Sequence, residues 1–301
     1  MDLRRIRHFV VLAETLNYRR AAERLHMAQP PLTVSIQKLE SELGTRLFER
    51  GSAGVTLTPS GRAVLAEARK LLFHGGQLQA VARDVVEGTG GVLRVGFVGT
   101  TTYGMLQRLL PQFRAEYPGV NLVLRESTSV AILEQLEDHA LDIGLVRTPL
   151  LRPTRAALIQ LESDQFVVAL PRGHELAQRG PLRLSELAAE SFVMYSATAA
   201  AGLQSAAMLA CQSAGFVPKV SQEAVQVQTL LALVESGTGV ALVPSVMQRY
   251  GSEKLLYRPL QDLPRSSDVG LALAHLEGNE LPAALRFRDV ASRVFGKAER
   301  Q

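Results

Sequence analysis

The first 62 residues carry the whole net positive charge of this 301-residue chain. They contain 10 Lys and Arg against 6 Asp and Glu, whereas residues 63–301 contain 23 of each class. A basic segment attracts the phosphate backbone of a nucleic acid whatever its base sequence. A net charge of +4 is also common on an ordinary solvated surface, so the order of side chains within the segment must decide between these interpretations.

The same segment shows the spacing of three short helices. Apolar residues at its start recur at helical intervals and predict a first helix, and Asn17 is suited to cap a second helix over residues 18–26. A break at residues 27–29 precedes Pro30 and Pro31, which suit a helix start because the first N–H groups of a helix are unpaired. The third helix has one apolar stripe and then a terminating glycine: Leu32, Ile36, Leu39, Leu43 and Gly44.

The outward face of the third helix carries mostly short hydrogen-bonding side chains and one cation: Thr33, Val34, Ser35, Gln37 and Lys38. Side chains of this kind read base edges in a DNA major groove, where Gln pairs with adenine and the Thr methyl group contacts thymine. The same face is also ordinary for an amphipathic helix with a solvated side. The residues of this helix alone leave both interpretations open.

Two short strand-like pieces flank a Gly-rich turn after the third helix. Residues 47–50 and 55–58 are the strand-like pieces, and residues 51–54 form the turn between them. This pattern predicts a β-hairpin, which after a helix-turn-helix would be a wing. We expect Arg50 of this hairpin to lie beside a phosphate or a minor groove.

The stretch over residues 21–65, AAERLHMAQPPLTVSIQKLESELGTRLFERGSAGVTLTPSGRAVL, resembles the DNA-binding region of LysR-type transcriptional regulators without a gap. The resemblance implies binding of double-stranded promoter or operator DNA, with Gln29, Pro30, Pro31, Thr33 and Lys38 at the start or on the exposed face of the recognition helix. Ser35 and Gln37 of the same outward face and Arg50 of the hairpin complete the expected contact residues. Val34 departs from the pattern, because relatives often carry a polar or basic base-reading residue at that position. The resemblance also implies a homotetramer, built as a dimer of dimers, and RNA polymerase as a partner.

A long helix is predicted after Thr58, which is suited to cap it, with Pro59 at its first position. A seam with alternating spacings of four and three follows a heptad pattern: Val64, Ala68, Leu71, Gly75, Leu78, Ala82 and Val85. A single exposed helix of this length is only marginally stable, so we expect the same helix of a second chain to cover the seam. Packing onto its own domain is the alternative. Residues 88–91, Gly-Thr-Gly-Gly, would end the helix and act as a hinge.

Residues 92–146 alternate strand-like and helical segments in a βαβαβ rhythm, with the first helix expected over 103–117, and this rhythm predicts a mainly parallel sheet. A second set begins at residue 166 and includes a helix over 227–235, and a strand over 270–275 with a helix over 282–295 would return to the first lobe. Two such sets with crossing connections resemble the periplasmic-binding-protein fold, which is also that of the LysR effector domain. The expected α/β chain has three parts: a winged helix-turn-helix domain over 1–58, a linker (dimerisation) helix and hinge over 59–90, and a two-lobed effector-binding domain over 91–301. The lobes would be about 91–161 with 267–301, and about 162–266.

Hydroxyl-bearing loops follow two of the predicted strands. Thr100 and Thr101 come after the first strand of the effector-binding domain, and residues 127–129, Ser-Thr-Ser, come after the second. Ligands of open α/β sheets bind at the carboxyl ends of strands, where hydroxyls and free N–H groups at helix starts suit an anion. Arg147, at the end of the third strand, would supply a bidentate cation for a carboxylate. The alternatives are plain helix capping for the loops and a surface ion pair for Arg147.

In this region the chain is most similar to LysR-type regulators of aromatic-compound degradation, through VGFVGTTTYGMLQRLLPQFR, DIGLVRTPL and QVQTLLALVESGTGVALVP. The resemblance implies a small anionic effector, an aromatic or unsaturated carboxylate, between the two lobes. The expected effector-binding residues are Thr100, Thr101, Thr128, Arg147, Tyr195, Val227 and Gln228. Residues 195–199 depart from the more Pro- and Ser-rich loop of the relatives, which leaves the identity of the effector open.

Two other functions fit the sequence less well. An enzyme is not expected, and neither is a cofactor, because the six His residues show no metal-ligand spacing, no nucleophile-elbow motif occurs, and Cys211 lies in an apolar helix. A solute-binding protein of similar two-lobed fold would need a secretion signal and would lack the winged helix. With one cysteine and no apolar run of about 18 residues, we expect a cytoplasmic chain without a disulfide or a membrane span.

Overall fold

The structure is a computed structural model that describes residues 2–51, 54–87, 90–250, 252–278 and 281–296. Two compact units divide the chain: the first is Met1–Gly91 with Asp138–Ala140, and the second is Val92–Glu137 with Leu141–Gln301. Within the described residues, no helix is both long and apolar enough to cross a membrane. The same residues contain no cluster of His, Cys, Asp and Glu side chains that could hold a metal ion.

Three helices begin the first unit: α1 (Leu3–Thr15), α2 (Tyr18–Arg24) and α3 (Gln29–Leu43). Asn17 caps α2, because its side chain accepts hydrogen bonds from the N–H groups of Arg19 and Arg20 at 3.0 and 3.1 Å. Gly44 ends α3 with a φ of 67°, a left-handed conformation that favours glycine. The helices share an apolar core that includes Ile6, Phe9, Leu12, Ala21, Leu32, Ile36 and Leu39.

These helices differ from the sequence prediction in three places. The second helix ends at Arg24, two residues before the expected end at His26. Gln29, expected in the break, is the first residue of α3. Leu43 is 37% exposed, so the apolar stripe of α3 ends at Leu39. Helical periodicity shows which side of a helix is apolar, but it does not show where contact with the core stops.

An antiparallel hairpin, β1 (Phe48–Gly51) and β2 (Gly54–Leu57), follows α3 as predicted. Glu40 of α3 holds this hairpin in place. Its Oε1 accepts hydrogen bonds from the backbone N–H groups of Leu47 at 2.8 Å and Phe48 at 3.2 Å. The carboxylate therefore fixes the start of the wing against α3.

The long helix α4 (Pro59–Glu87) begins where the sequence predicts. Thr58 caps it, because its Oγ1 accepts a hydrogen bond from the N–H of Gly61 at 2.9 Å. The side chain of Val85 and residues 88–89 of the expected hinge lie outside the described residues.

Part of the heptad seam of α4 packs within its own unit. Ala68 is 2% exposed and belongs to the core of the N-terminal helices, and Val64 packs against the same core. Leu71 and Leu78, further along the seam, are 39% and 73% exposed. Packing onto its own domain therefore holds for the first part of the seam, where α4 crosses α1, and Leu71 and Leu78 lie beyond that core. The stretch open to a second chain is shorter than the heptad pattern predicts.

The strands after α4 are β3 (Gly91–Phe97), β4 (Val120–Glu126), β5 (Ile143–Thr148), β6 (Ala157–Asp164), β7 (Phe166–Pro171), β8 (Ser191–Tyr195), β9 (Lys219–Ala224), β10 (Ala241–Pro244), β11 (Leu255–Pro259) and β12 (Val269–His275). The helices are α5 (Met105–Glu116), α6 (Ser129–Glu137), α7 (Ala201–Ser213), α8 (Val227–Glu235) and α9 (Pro282–Phe295). The expected α/β alternation is therefore present. The expected helix from Tyr103 begins instead as a 3₁₀ turn, Gly99–Tyr103.

The parallel β3–β5 pair agrees with the prediction for residues 92–146, whereas the sheet that contains it is mixed. One sheet has the order β4-β3-β5-β12-β6, and a second has the order β10-β7-β11. The β3–β5 and β8–β9 pairs are parallel, but β12 runs antiparallel to β5 and β6, and β7 runs antiparallel to β10 and β11. Two of these strands, β6 and β11, were not predicted from the sequence. Their side chains are mostly half-exposed, so they lack the continuous apolar run that marks a buried strand.

Two apolar cores form the two lobes of the second unit. One core lies around β3, β5 and β12 and contains Phe113 and Phe287, whose ring centroids are 5.0 Å apart. The other lies around β7, β8 and β10 and contains Phe166 and Phe192. The chain passes from the first lobe to the second after β6 and returns before β12.

Candidate functional site

The exposed face of α3 is formed by residues at its start and along one side: Gln29, Pro30, Pro31, Val34, Gln37 and Lys38. Val34 is 48% exposed and places an apolar side chain among polar neighbours. An apolar side chain in a major groove contacts a thymine methyl group. The departure from the family pattern at this position therefore changes the type of base contact available to α3.

Two predicted contact residues of α3 are engaged within the protein. The hydroxyl oxygen of Ser35, which is half-buried, lies 2.7 Å from Nδ1 of His8 on α1. The hydroxyl of Thr33, also half-buried, donates to the carbonyl of Gln29 at 3.3 Å. His8 is buried, and burial followed by the nearby charge of Arg4 lowers its pKa. Ser35 therefore links α3 to α1 and is not part of the exposed face.

The cation on the exposed face of α3 is Lys38. Two cations of α2 have carboxylate partners: Arg19 pairs with Glu23 at 3.1 Å, and Arg24 pairs with Glu14 at 2.8 Å. The backbone of the predicted contact residue Arg50 belongs to β1, and its side chain lies outside the described residues.

A cavity of about 1000 Å³, which includes space open to solvent, lies at the carboxyl ends of β3, β4 and β5. The structure brings four of the predicted effector-binding residues to this cavity: Thr100, Thr128, Arg147 and Val227. They come from four separate segments of the two lobes. The strand-end rule locates the cavity because loops after neighbouring strands meet at one edge of a sheet.

Three helices begin at the cavity wall. Residues 127–130 lead into α6, residues 199–203 into α7, and residues 225–227 into α8. Neither Ala200 before α7 nor Gln226 before α8 makes a side-chain capping hydrogen bond. The first N–H groups of a helix lack intrahelical partners, and the positive end of the helix dipole lies there. Three helix starts around one cavity therefore favour an anion.

Arg147 is a buried cation at this cavity, only 6% exposed. Its Nη2 donates to Thr100 Oγ1 at 2.6 Å, and its backbone N–H donates to Ser129 Oγ at 2.9 Å. Its Nε has no hydrogen-bond partner among the described residues. Burial lowers the pKa of Arg147, and longer-range attraction, first to Asp164, opposes this change.

No carboxylate of the described residues forms an ion pair with Arg147. Glu162 pairs with Arg108 at 3.1 Å, and Asp164 accepts a hydrogen bond from the Ser245 hydroxyl at 2.5 Å. The expectation that Arg147 could be a surface ion pair is therefore wrong, because the end of β5 is covered by both lobes. Among the residues that the structure describes, the positive charge of Arg147 at the cavity wall therefore has no carboxylate partner.

Three predicted effector-binding residues do not line the cavity. Thr101 is 0% exposed, and its hydroxyl donates to the Val98 carbonyl at 2.7 Å, so it stabilises the 3₁₀ turn. Tyr195 is 1% exposed in the core of its lobe, and burial raises the pKa of its phenol. Gln228 lies behind the wall, where a Cβ atom built on Gly99 would be 3.5 Å from its Nε2. Successive side chains of a strand or a helix point in different directions, so a residue beside the cavity in sequence can have its side chain directed elsewhere.

Other wall segments were missed by the sequence analysis. They are residues 149–153 after β5, residues 199–203 at the start of α7, and one side of α6. Residues 149–153 could have been found from the sequence, because Pro149 and Pro153 flank a short loop at the end of a strand. The second depends on Gly202, because a Cβ atom there would lie 1.9 Å from the carbonyl oxygen of Pro149. Only the folded chain shows that these two segments touch.

Two family models match the chain. Residues 3–62 match the bacterial regulatory helix-turn-helix protein, lysR family, and residues 87–296 match the LysR substrate binding domain. Together they cover both units. The α/β fold class expected from the sequence, with its helix-turn-helix and effector-type domains, is confirmed.

The chain is also similar to characterised regulators over nearly its whole length. It is 31% identical to the HTH-type transcriptional regulator AlsR of Bacillus subtilis (strain 168) over 292 residues, which are 97% of this chain and 96% of AlsR. It is 32% identical to the HTH-type transcriptional regulator BenM of Acinetobacter baylyi (strain ATCC 33305 / BD413 / ADP1) over 281 residues, which are 92% of this chain and 91% of BenM.

Its fold is that of CbnR, a LysR family transcriptional regulator of known crystal structure. The TM-score is 0.77, with 24% sequence identity over 98% of this chain and 99% of CbnR. On the two family models and the full-length relatives, this chain belongs to the LysR family of bacterial helix-turn-helix transcriptional regulators.

Proposed function

We propose that this regulator binds operator DNA through the exposed face of α3 and the wing, and that a small carboxylate effector binds in the cavity of the second unit. The proposed domains are 1–58 for DNA binding, 59–90 for the linker and 91–301 for the effector. Regulation, not catalysis, is the proposed role, since the similar full-length proteins are transcriptional regulators.

For DNA binding, α3 would enter a major groove with its N-terminal residues towards the base edges. Gln37 would read adenine and Lys38 would contact a phosphate, while Gln29 lies at the helix start. Thr33, Pro30, Pro31 and Arg50 complete the proposed contact set, to which Ser35 contributes by holding α3 against α1. CbnR shares this fold, and its crystal structure has also been determined in complex with its target DNA. The TM-score between this chain and CbnR in that complex is 0.76.

For assembly, we propose a dimer of dimers, with RNA polymerase as a further partner. The support is the exposed part of the α4 seam at Leu71 and Leu78. Large apolar side chains at heptad spacing favour a second helix of the same kind. A dimer would present two α3 helices to successive half-sites of a partly symmetric operator.

For effector binding, the observation that carries the proposal is the buried guanidinium of Arg147, which is hydrogen-bonded to Thr100 and lacks a direct carboxylate partner among the described residues. A buried charge without a partner is costly, and an anionic ligand would compensate it. Thr128 Oγ1 accepts from the Ala131 N–H of α6 at 3.3 Å, and its own O–H can donate to a ligand; the first N–H groups of α7 and α8, which have no side-chain cap, supply further donors. Val227 lies on the apolar wall.

A thermal-shift screen of small carboxylates with the full chain tests the effector proposal. A ligand that binds only the folded state raises Tm, and we expect a carboxylate to do so while the matched carboxamide does not. The same acid should leave Tm unchanged in Arg147→Met. If no acid from a panel of aliphatic, aromatic and unsaturated carboxylates raises Tm, the anion site is wrong.

Selection of genomic fragments by the full chain tests the DNA proposal. We expect enrichment of a partly symmetric sequence over random DNA. Affinity for that sequence should fall with salt, with a slope of about −0.9 for each phosphate neutralised. Enrichment no greater than for random fragments would contradict sequence-specific binding.

A further inference from the structure

The cavity of the second unit extends far beyond the proposed carboxylate site, along one side of α6. The residues of α6 that line it are Ser129, Val130, Leu133, Glu134 and Glu137. Their spacing places them on one face of the helix from its first residue to its last. The eight steps from Ser129 to Glu137 span about 12 Å along the helix axis, so the cavity continues two turns away from the positive helix starts.

The opposite wall is the segment after β5, and it is held at both ends. At its start, Pro149 packs against Gly202 at the beginning of α7. At its end, the Thr154 hydroxyl and the Arg155 N–H both donate to Glu137 Oε1 at 3.0 Å. The segment therefore follows α6 along its whole length and forms a built wall.

Beyond the proposed carboxylate site, part of the cavity wall is apolar. Leu133 of α6 faces it together with Leu150 and Leu151 of the opposite wall. Leu151 is 54% exposed, a large apolar side chain with little to cover it in this structure. A ligand chain that reached this place would cover apolar surface, and binding gains from such burial.

The two carboxylates at the far end already have partners. Glu137 accepts from the wall segment, and Glu134 pairs with Arg152 at 3.3 Å. Of the three charged side chains that line this end of the cavity, two are carboxylates and one is a guanidinium. A second carboxylate on the ligand would be repelled by these two carboxylates, whereas an uncharged end would not.

We propose that the effector is a monocarboxylate with an extended apolar chain: the carboxylate lies at Thr100 and Arg147, and the chain follows α6 to Leu133, Leu150 and Leu151. This assignment rests on the proposed carboxylate site and adds the length and chemistry of the rest of the molecule. A compact aromatic acid would fill only the near part of the cavity.

Calorimetric titration of the full chain with butanoate, hexanoate, octanoate and decanoate, each below its micelle concentration, tests this assignment. Affinity should rise by about fourfold for each CH₂ group buried, up to a length near that of α6. Sebacate, the dicarboxylate of the same length as decanoate, should bind at least tenfold more weakly than decanoate. Leu151→Ser should lower the affinity for decanoate several-fold and leave the affinity for butanoate unchanged. Leu158→Ser, at an exposed leucine outside the cavity wall, is the matched control and should change neither.

The outcomes separate the two proposals. Equal affinities for butanoate and decanoate, or sebacate binding as tightly as decanoate, would overturn the apolar chain and leave the carboxylate site intact. An unchanged decanoate affinity in Leu151→Ser would also overturn it. Failure of every acid to bind the wild type would instead remove the carboxylate site, and the chain site with it.

Discussion

Arg147 Nη2 donates a hydrogen bond of 2.6 Å to Thr100 Oγ1, across 47 positions of sequence. The contact joins the end of β5 to the turn after β3. It fixes the position of the Arg147 guanidinium relative to the Thr100 hydroxyl in the proposed effector site. Thr100 accepts from Arg147, and its own O–H is free to donate to a carboxylate.

Thr100→Val should lower the affinity for the effector by about ten- to a hundredfold, because one hydrogen bond to a charged ligand is lost. Titration calorimetry with an acid found in the carboxylate screen is the measurement. Thr100→Ser keeps the hydroxyl and should bind as the wild type does. DNA binding without effector should be unchanged in both variants. Equal effector affinity in wild type and Thr100→Val would remove Thr100 from the site.

Arg147→Met should abolish effector binding without lowering Tm. The reason is that a buried charge without a direct partner contributes little to stability, and an apolar side chain of similar length can replace it at no cost. Thermal unfolding with and without the effector checks both parts. A Tm several degrees below that of the wild type would show that Arg147 stabilises the lobes, which would contradict its assignment as an effector anchor.

Lys38→Ala and Gln37→Ala should affect DNA binding in different ways. Loss of the Lys38 cation should weaken all sequences alike and reduce the salt slope by about one, whereas loss of Gln37 should relax specificity at one base pair by about 1–3 kcal/mol. Binding curves at several salt concentrations, on the operator and on point-mutated operators, separate the two. Identical behaviour of the two variants would contradict the proposed placement of α3.

The double variant Leu71→Asp with Leu78→Asp should dissociate the assembly. Both side chains are exposed in the single chain, so the change should not unfold it, but an interface would have to bury unpaired charges. Sedimentation should show smaller species, and operator binding should weaken. An unchanged oligomer would mean that other surfaces hold the chains together. Ala68→Asp, in the core of the first unit, should instead lower Tm sharply.

The first unit should lose stability as pH falls below about 6.5, through His8. Burial, followed by the charge of Arg4, lowers the pKa of His8 from its ordinary value of 6.5, so the unfolded chain binds more protons at low pH. The stability that neutral His8 contributes is fully present above pH 6.5, and it is lost as pH falls through the pKa of His8 in the folded state. Urea unfolding at several pH values should show a steeper acid loss in wild type than in His8→Gln. If the free energy of unfolding falls with pH equally in wild type and His8→Gln, the predicted role of His8 is wrong.

Local signals in the sequence were sufficient for much of the secondary structure. Asn17 capped α2, Gly44 ended α3, and α8 and α9 have the predicted limits. Caps, terminating glycines and apolar periodicity act between residues a few positions apart, so one chain segment carries the whole interaction. The family resemblance of the helix-turn-helix rested on the same local order of residues.

The tertiary structure decided which of the predicted side chains are available. Ser35 bonds His8 at a separation of 27 positions, and Leu43 lies beyond the core. The cavity wall joins segments around Pro149 and Gly202, and its long side along α6 left no trace in the sequence that we could read. By itself the sequence determined most of the elements, the family and the strand ends at which a ligand is proposed to bind. Which face of each element meets that ligand depends on contacts between segments far apart in the chain, and only the folded structure supplies them.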